Sequence, residues 1–190
     1  MNLVVVICHF QEDLKWIEEL KYPYIVYNKN PNNNHKYELN FPNVGYDAIV
    51  YFDYIIKNYE NLPEFVCFTQ DNPFDHCPSF LDKVNNFDRN LKYYPLGITY
   101  IRDNDNIVDQ SIKYANQNNI EVKMPIKFIA GTQSILSKEL ILRNSLDFYK
   151  KLQSTITTTQ IVSHNNWMIE YLWPSIFGFN EEMEVNLYNC

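Results

Sequence analysis

Along the first third of the chain, apolar runs with strand character alternate with segments whose apolar residues recur at helical spacing. Leu3–Cys8 (LVVVIC) is a continuous β-branched run, which predicts a strand buried on both faces of a parallel sheet. Glu12–Leu20 sets Leu14, Ile17 and Leu20 on one face of a predicted short helix, and Tyr24–Tyr27 predicts a second strand. The polar stretch from Asn28 to Asn40 predicts a loop. From Gly45 to Tyr59, the positions Ile49, Phe52, Ile56 and Tyr59 step by three, four and three along one helix face. Asn43 is a plausible N-cap for that helix, and Asp47 lies in its positive first turn. Phe65–Phe68 predicts a third strand. An order of β-α-β-α-β calls for a right-handed, parallel, Rossmann-like sheet.

The middle is less periodic. Phe80–Phe87 reads as helical, Gly97–Ile101 as a strand, and Asp103–Asp109 as an acidic loop. Lys127–Ala130 is a strand running into Gly131, and Ile135-Leu136 suggests another. Ser137 caps a helix with a break near Asn144-Ser145. A final helix begins near Asn165, and Pro174 kinks or ends it because proline removes a backbone donor. The fold predicted is a single α/β domain, 1–190, with a mostly parallel central sheet flanked by helices. The predicted βαβαβ half spans residues 1–77, and a second half spans 78–190.

Pro63–His76 (PEFVCFTQDNPFDH) concentrates the candidate chemistry. Its strand breaks into Thr69-Gln70-Asp71-Asn72, and Asp71, Asp75 and His76 crowd the C-terminal end. In open α/β sheets ligands bind in the crevice outside the strand ends. Hard oxygen ligands there suit a divalent cation and bound phosphates; the competing reading is a solvated loop whose Asp and Asn make turns.

Glu170 is the other informative position. In WMIEYLWPSIFGF it stands as a lone carboxylate on an apolar helix. Such a group is paired, metal-bound or raised in pKa. A raised carboxylate beside a pocket is what a general base for an alcohol requires, while an exposed helix edge or an ion pair is the structural alternative. Gly45 opens a helix and Gly131-Thr132-Gln133 follows a strand, so each is either a close approach to a ligand or a structural turn. His9 ends the first strand, as a ligand contact or a structural residue, and His164 near the last helix start is a candidate for phosphate or metal. No GxSxG, HExxH or metal-type CxxC motif is present.

Composition narrows the classes. A net charge of −7 with scattered Lys and Arg gives no footprint for nucleic acid or an anionic membrane. The 15 Tyr and 12 Phe suit both a packed core and sugar faces. Cys8, Cys67, Cys77 and Cys190 read as reduced thiols, which predicts a cytoplasmic, reducing location. No stretch predicts a signal peptide or a transmembrane segment.

Several segments resemble the DUF3431 family of uncharacterised proteins. They carry Glu12, Asp13 and Trp16; Tyr27, Asn28 and Lys29; Asn43-Val44-Gly45; Phe68, Gln70, Pro73, Phe74, Asp75 and His76; Gly131 and Gln133; and Glu170 with Trp173. The resemblance covers most of the chain outside roughly 85–125. It departs at Tyr46-Asp47, where the pattern has Arg-Glu, and at Pro174. More distantly, the layout is similar to small GT-A glycosyltransferases. That resemblance implies transfer of a sugar from a UDP- or GDP-linked donor to a glycan acceptor, with inversion, 1–77 being the nucleotide-binding half and 78–190 the acceptor-side half. Glu170 would be the base. His9, Lys29, Asn43, Gly45, Asp47, Gln70 and Asp71 would bind the donor, and Asp71 would hold Mn²⁺ or Mg²⁺. Asp75, His76, Gly131, Thr132, Gln133 and Trp173 would meet the acceptor sugar. Only one acid of the DxD motif is present. The alternatives are a glycan- or protein-binding module on a degenerate transferase fold, or a metal-dependent phosphoester hydrolase using Asp71, Asp75 and His76.

Overall fold

In the computed structural model, which describes residues 2–33, 39–157 and 164–178, the first apolar run forms strand β1, Leu3–His9. Its side chains alternate between two cores. Val4, Val6 and Cys8 face one, and Leu3, Val5 and Ile7 face the other, as the two-residue period of a strand requires. Strands β2 (Tyr24–Asn28), β3 (Leu39–Asn40) and β4 (Phe65–Gln70) join it in parallel, in the order β3-β2-β1-β4. Beyond β4 the sheet turns mixed. Strand β5 (Tyr93–Pro95) forms the edge, and β8 (Ser134–Ser137) runs antiparallel to both β4 and β5. Strands β6 (Thr99–Arg102) and β7 (Ile126–Ile129) pair separately as a two-stranded antiparallel sheet.

Helices cover both faces. One core receives α1 (Ala48–Asn58), α5 (Leu146–Thr157) and α6 (His164–Ile176), which contribute Phe52, Leu152 and Trp173 among others. The second core packs a 3-10 turn at Lys15–Glu19 and α2 (Phe80–Asn85) on the opposite face, through Trp16, Phe80 and Val84. Trp16 stands edge-on to both Phe74 and Phe80, a favoured aromatic geometry. Helix α3 (Asn106–Asn118) and the short α4 (Lys138–Ile141) complete the α-helices among the described residues. Because β5 and β8 pair into the sheet begun by β1 to β4, residues from both halves of the chain share one sheet.

Five local expectations change. The helix expected from Gly45 begins at Ala48, because Gly45 and Tyr46 hold φ of +64° and +47°. Asp47, not Asn43, is its N-cap residue. The predicted Glu12–Leu20 helix contracts to the 3-10 turn, and the polar loop after Asn28 includes β3. The acidic loop at Asp103–Asp109 turns out to start α3, where Asp105 accepts hydrogen bonds from the N–H groups of Ile107 and Val108, both at 2.8 Å. An N-cap of this kind stabilises a helix by about 1 kcal/mol. No helix among the described residues is long and apolar enough to cross a membrane.

Candidate active site

The chain leaves β1 for β2 and β3 on one side of the sheet, then returns through α1 to β4 on the other side of β1. The C-terminal ends of β1 and β4 therefore border a topological switch point, where α/β sheets open a ligand crevice. A pocket of about 240 Å³ lies at that end. Gln70 enters it from β4, and Tyr46, Asp47 and Ala48 from the approach to α1. Gly131 and Thr132 follow β7, His76 follows the 3-10 turn Pro73–Asp75, and Trp167 and Glu170 come from α6. A larger hollow of about 660 Å³ lies at the other end of β4. Its charges are partly paired among themselves, Lys92 with Glu139 at 2.7 Å.

Backbone strain gathers around the smaller pocket. Among the described residues, three other than glycine have positive φ, namely Tyr46, Asn119 and Thr132, and two of them line it. For a β-branched residue such as Thr132, at +54°, this conformation is unusual and costs about 1–3 kcal/mol. Gly131, at +70°, brings the backbone close to its neighbours: a Cβ there would stand 3.0 Å from His76 Cδ2 and 3.2 Å from Gln70 Oε1. The Gly131 N–H donates to Glu170 Oε1 at 2.7 Å, fixing one oxygen of the carboxylate.

Two carboxylates face this space with their protons held more tightly than usual. Burial raises the pKa of Glu170. The Gly131 N–H opposes that rise, the Asp47 charge adds to it and His76 reduces it. Asp47 is pushed up to about 6, chiefly by burial. A hydrogen bond to the Cys8 thiol and the charge of Lys29 pull it back, while the Asp71 charge pushes it further up. An acid raised to this degree sits where it can exchange protons near neutral pH.

Of the residues expected at the site, Glu170, Asp47, Gln70, His76, Gly131 and Thr132 converge on the pocket. The others are placed elsewhere, each for a physical reason. Asp71 Oδ2 accepts hydrogen bonds from the N–H groups of Phe10, Gln11 and Glu12, at 2.8, 3.1 and 3.2 Å, and its Oδ1 accepts the N–H of Asn72. His9 Nδ1 lies 3.3 Å from the same Oδ2. Mg²⁺ takes an octahedral shell of oxygens, and Asp71 already serves as an acceptor for the loop after β1. Among the described residues, no three of His, Cys, Asp and Glu come together as a metal site. Asp71 is thus committed to holding the loop after β1, and Asp75 is exposed on its 3-10 turn.

Lys29 is buried, and its ammonium donates to the carbonyls of Val44 and Tyr46, at 2.8 and 2.6 Å. It pins the strained turn that presents Tyr46 and Asp47 rather than reaching a phosphate. Burial lowers its pKa, against the charges of Cys8 and Asp47. Gly45 packs against Ile156 and Ile49, so the room its missing Cβ leaves is filled by the protein itself. Asn43 is exposed outside the pocket. Gln133 is fully buried: its Oε1 accepts from Thr69 Oγ1 at 2.8 Å, and its Nε2 donates to the carbonyls of Pro73 and Leu96. Trp173 is 0% exposed and donates to Ser134 Oγ, so it belongs to the core and not to a sugar platform. The side chain of His164, and Cys190, lie outside the described residues.

Tyr46, Ala48 and Trp167 are the pocket residues absent from the expected set, and Tyr46 and Trp167 are 61% and 53% exposed. Trp167 lies three residues before Glu170, a spacing that shares a helix face, and this was the available signal. The departure at Tyr46 marked the other.

Residues 4–89 match the family model DUF3431, described as a protein of unknown function. The match supports the family expectation for that part of the chain and stops before Gly131 and Glu170. No curated protein and no solved structure matches the chain.

Proposed function

We propose that this chain is a glycosyltransferase in which Glu170 is the general base that activates an acceptor hydroxyl. The observation that supports the reading best is Glu170 itself. It is a half-buried carboxylate held by the Gly131 N–H at 2.7 Å, raised in pKa, and facing a pocket at the C-terminal edge of a parallel sheet. In the step proposed, the acceptor O–H proton passes to Glu170 and the acceptor oxygen bonds to the anomeric carbon of the donor sugar. The bond to the nucleoside diphosphate breaks, and its electron pair leaves on the phosphate oxygen. The pocket, at about 240 Å³, is smaller than the roughly 300–1,000 Å³ of sites for drug-sized ligands. It suits one sugar ring, and Tyr46 and Trp167 supply aromatic faces beside it. Buried free thiols at Cys8 and Cys67 are in keeping with a cytoplasmic setting.

Transfer from UDP- and GDP-linked sugars to glycan acceptors is the direct test. A general base contributes about 10²–10⁴-fold, so Glu170→Gln reduces transfer by that order while the melting temperature holds. A nucleotide at 100 times its dissociation constant stabilises the protein by about 2.7 kcal/mol. Absence of transfer with every donor, together with no thermal shift, refutes the reading. A glycan-binding module without chemistry is the second reading. What favours it is that no Lys or Arg is among the described residues lining the pocket, so no permanently charged cation of that lining meets a diphosphate.

A further inference from the structure

We infer that the pocket selects an uncharged sugar ring as its occupant and rejects acidic sugars. The inference deepens the proposed function, resting on the reading that this pocket holds the acceptor. Its basis is the lining. Two carboxylates, Asp47 and Glu170, enter the same 240 Å³ space from the start of α1 and from α6. The other polar groups there are Gln70, His76, Thr132 and backbone around Gly131, all able to bond hydroxyls. Tyr46 and Trp167 add exposed ring faces, which pack on the apolar faces of a pyranose. Among the described lining residues only His76 can carry positive charge. Lys29 lies behind Asp47 with its ammonium bound to the Val44 and Tyr46 carbonyls. A ligand carboxylate or phosphate entering this space meets like charge at short range, which opposes binding strongly away from bulk water.

The charge of the site follows its titrating groups. Asp47 feels Cys8, Lys29 and Asp71, and Glu170 feels Asp47 and His76. Both carboxylates hold protons more tightly than usual, so lowering the pH removes negative charge from the pocket and weakens the rejection.

Saturation-transfer NMR and calorimetry with the methyl glycosides of glucose, galactose, mannose and N-acetylglucosamine, beside methyl glucuronide, test this on the full chain. At about pH 8, at least one neutral glycoside binds, and methyl glucuronide binds about tenfold more weakly or worse, equivalent to about 1.4 kcal/mol. The gap narrows at about pH 5, where glucuronide is still ionised. Asp47→Asn and Glu170→Gln each narrow it at pH 8, and Trp167→Ala weakens the neutral ligands. Glucuronide bound as tightly as the neutral rings overturns the inference, as does binding of no glycoside or binding indifferent to Trp167→Ala. Neutral-ring selectivity without transfer from any nucleotide sugar leaves the inference standing and removes the transferase reading. Transfer onto an acidic sugar ring does the reverse.

Discussion

Replacing Asp71 by alanine destabilises the protein whether or not a metal is present. Its Oδ2 accepts three backbone N–H groups, from Phe10 at 2.8 Å, Gln11 at 3.1 Å and Glu12 at 3.2 Å, and so ties the loop after β1 to the end of β4. Hydrogen bonds to a charged group contribute about 1.5–3 kcal/mol each. These three share one oxygen, and their donors sit near solvent, where water replaces part of what is lost. The net cost is therefore about 2–4 kcal/mol, less than the sum of three bonds. For a chain of this size, each kcal/mol moves the melting temperature by about 2–4 °C, so the expected fall is roughly 5–15 °C. Thermal unfolding followed by circular dichroism, in buffer with a chelator, reads this directly. Asp71→Asn keeps an acceptor oxygen and loses the charge, so its fall is smaller. The bond from Trp16 Nε1 goes to the Asp71 carbonyl, at 2.9 Å, and survives either change. A metal-free melting temperature left unchanged refutes the assignment. If an Mn²⁺-dependent stabilisation disappears at the same time, Asp71 is a cation ligand after all.

Three further expectations test other parts of the structure. Because Asp47 rises from 3.8 to about 6 on folding, the folded state binds more protons between those values, and stability falls as pH rises through that window. The loss is at most about 3 kcal/mol; the stability difference between Asp47→Asn and the parent, from urea midpoints at pH 4 to 8, grows in favour of the variant over that range, and a flat difference contradicts the burial argument. Gly45→Ala forces a Cβ against Ile156 and Ile49 at a φ of +64°, so it lowers stability by about 1–3 kcal/mol; unchanged denaturation midpoints would show that α5 is not packed there. Gln133→Leu removes an acceptor from the Thr69 hydroxyl and a donor from the Pro73 and Leu96 carbonyls, while Thr69 keeps the Gln70 carbonyl and Pro73 the Cys77 N–H, so the loss is about 1–3 kcal/mol; a variant as stable as the parent contradicts the buried network.

The sequence by itself determined the parallel start of the sheet. Leu3–Cys8, Tyr24–Tyr27 and Phe65–Phe68 are apolar, β-rich runs, and a strand buried on both faces needs just such a run. It also singled out Glu170, because a carboxylate amid Trp167, Ile169, Leu172 and Trp173 has few ways to be stable. The Gly131 turn was legible for a similar reason: a close backbone approach needs a residue without a side chain. Strands β3 and β5 were not legible, since runs of two and three residues carry no period and exist only through the ladders that neighbouring strands offer them. Tertiary structure alone divided the polar candidates into those that line the pocket and those that hold it up. Asp71, Lys29 and Gln133 bear the residue types of a binding site, yet each bonds groups distant in sequence, the β1 loop, the turn before α1, and the β4 end with the Leu96 carbonyl. A buried polar side chain is satisfied by whichever donors and acceptors the fold brings to it, and local sequence does not contain that list. The same holds for the two tryptophans of α6. Both lie three residues from Glu170, and the depth of the helix in the core leaves Trp167 at the pocket and encloses Trp173 among Tyr51, Phe52 and Phe68.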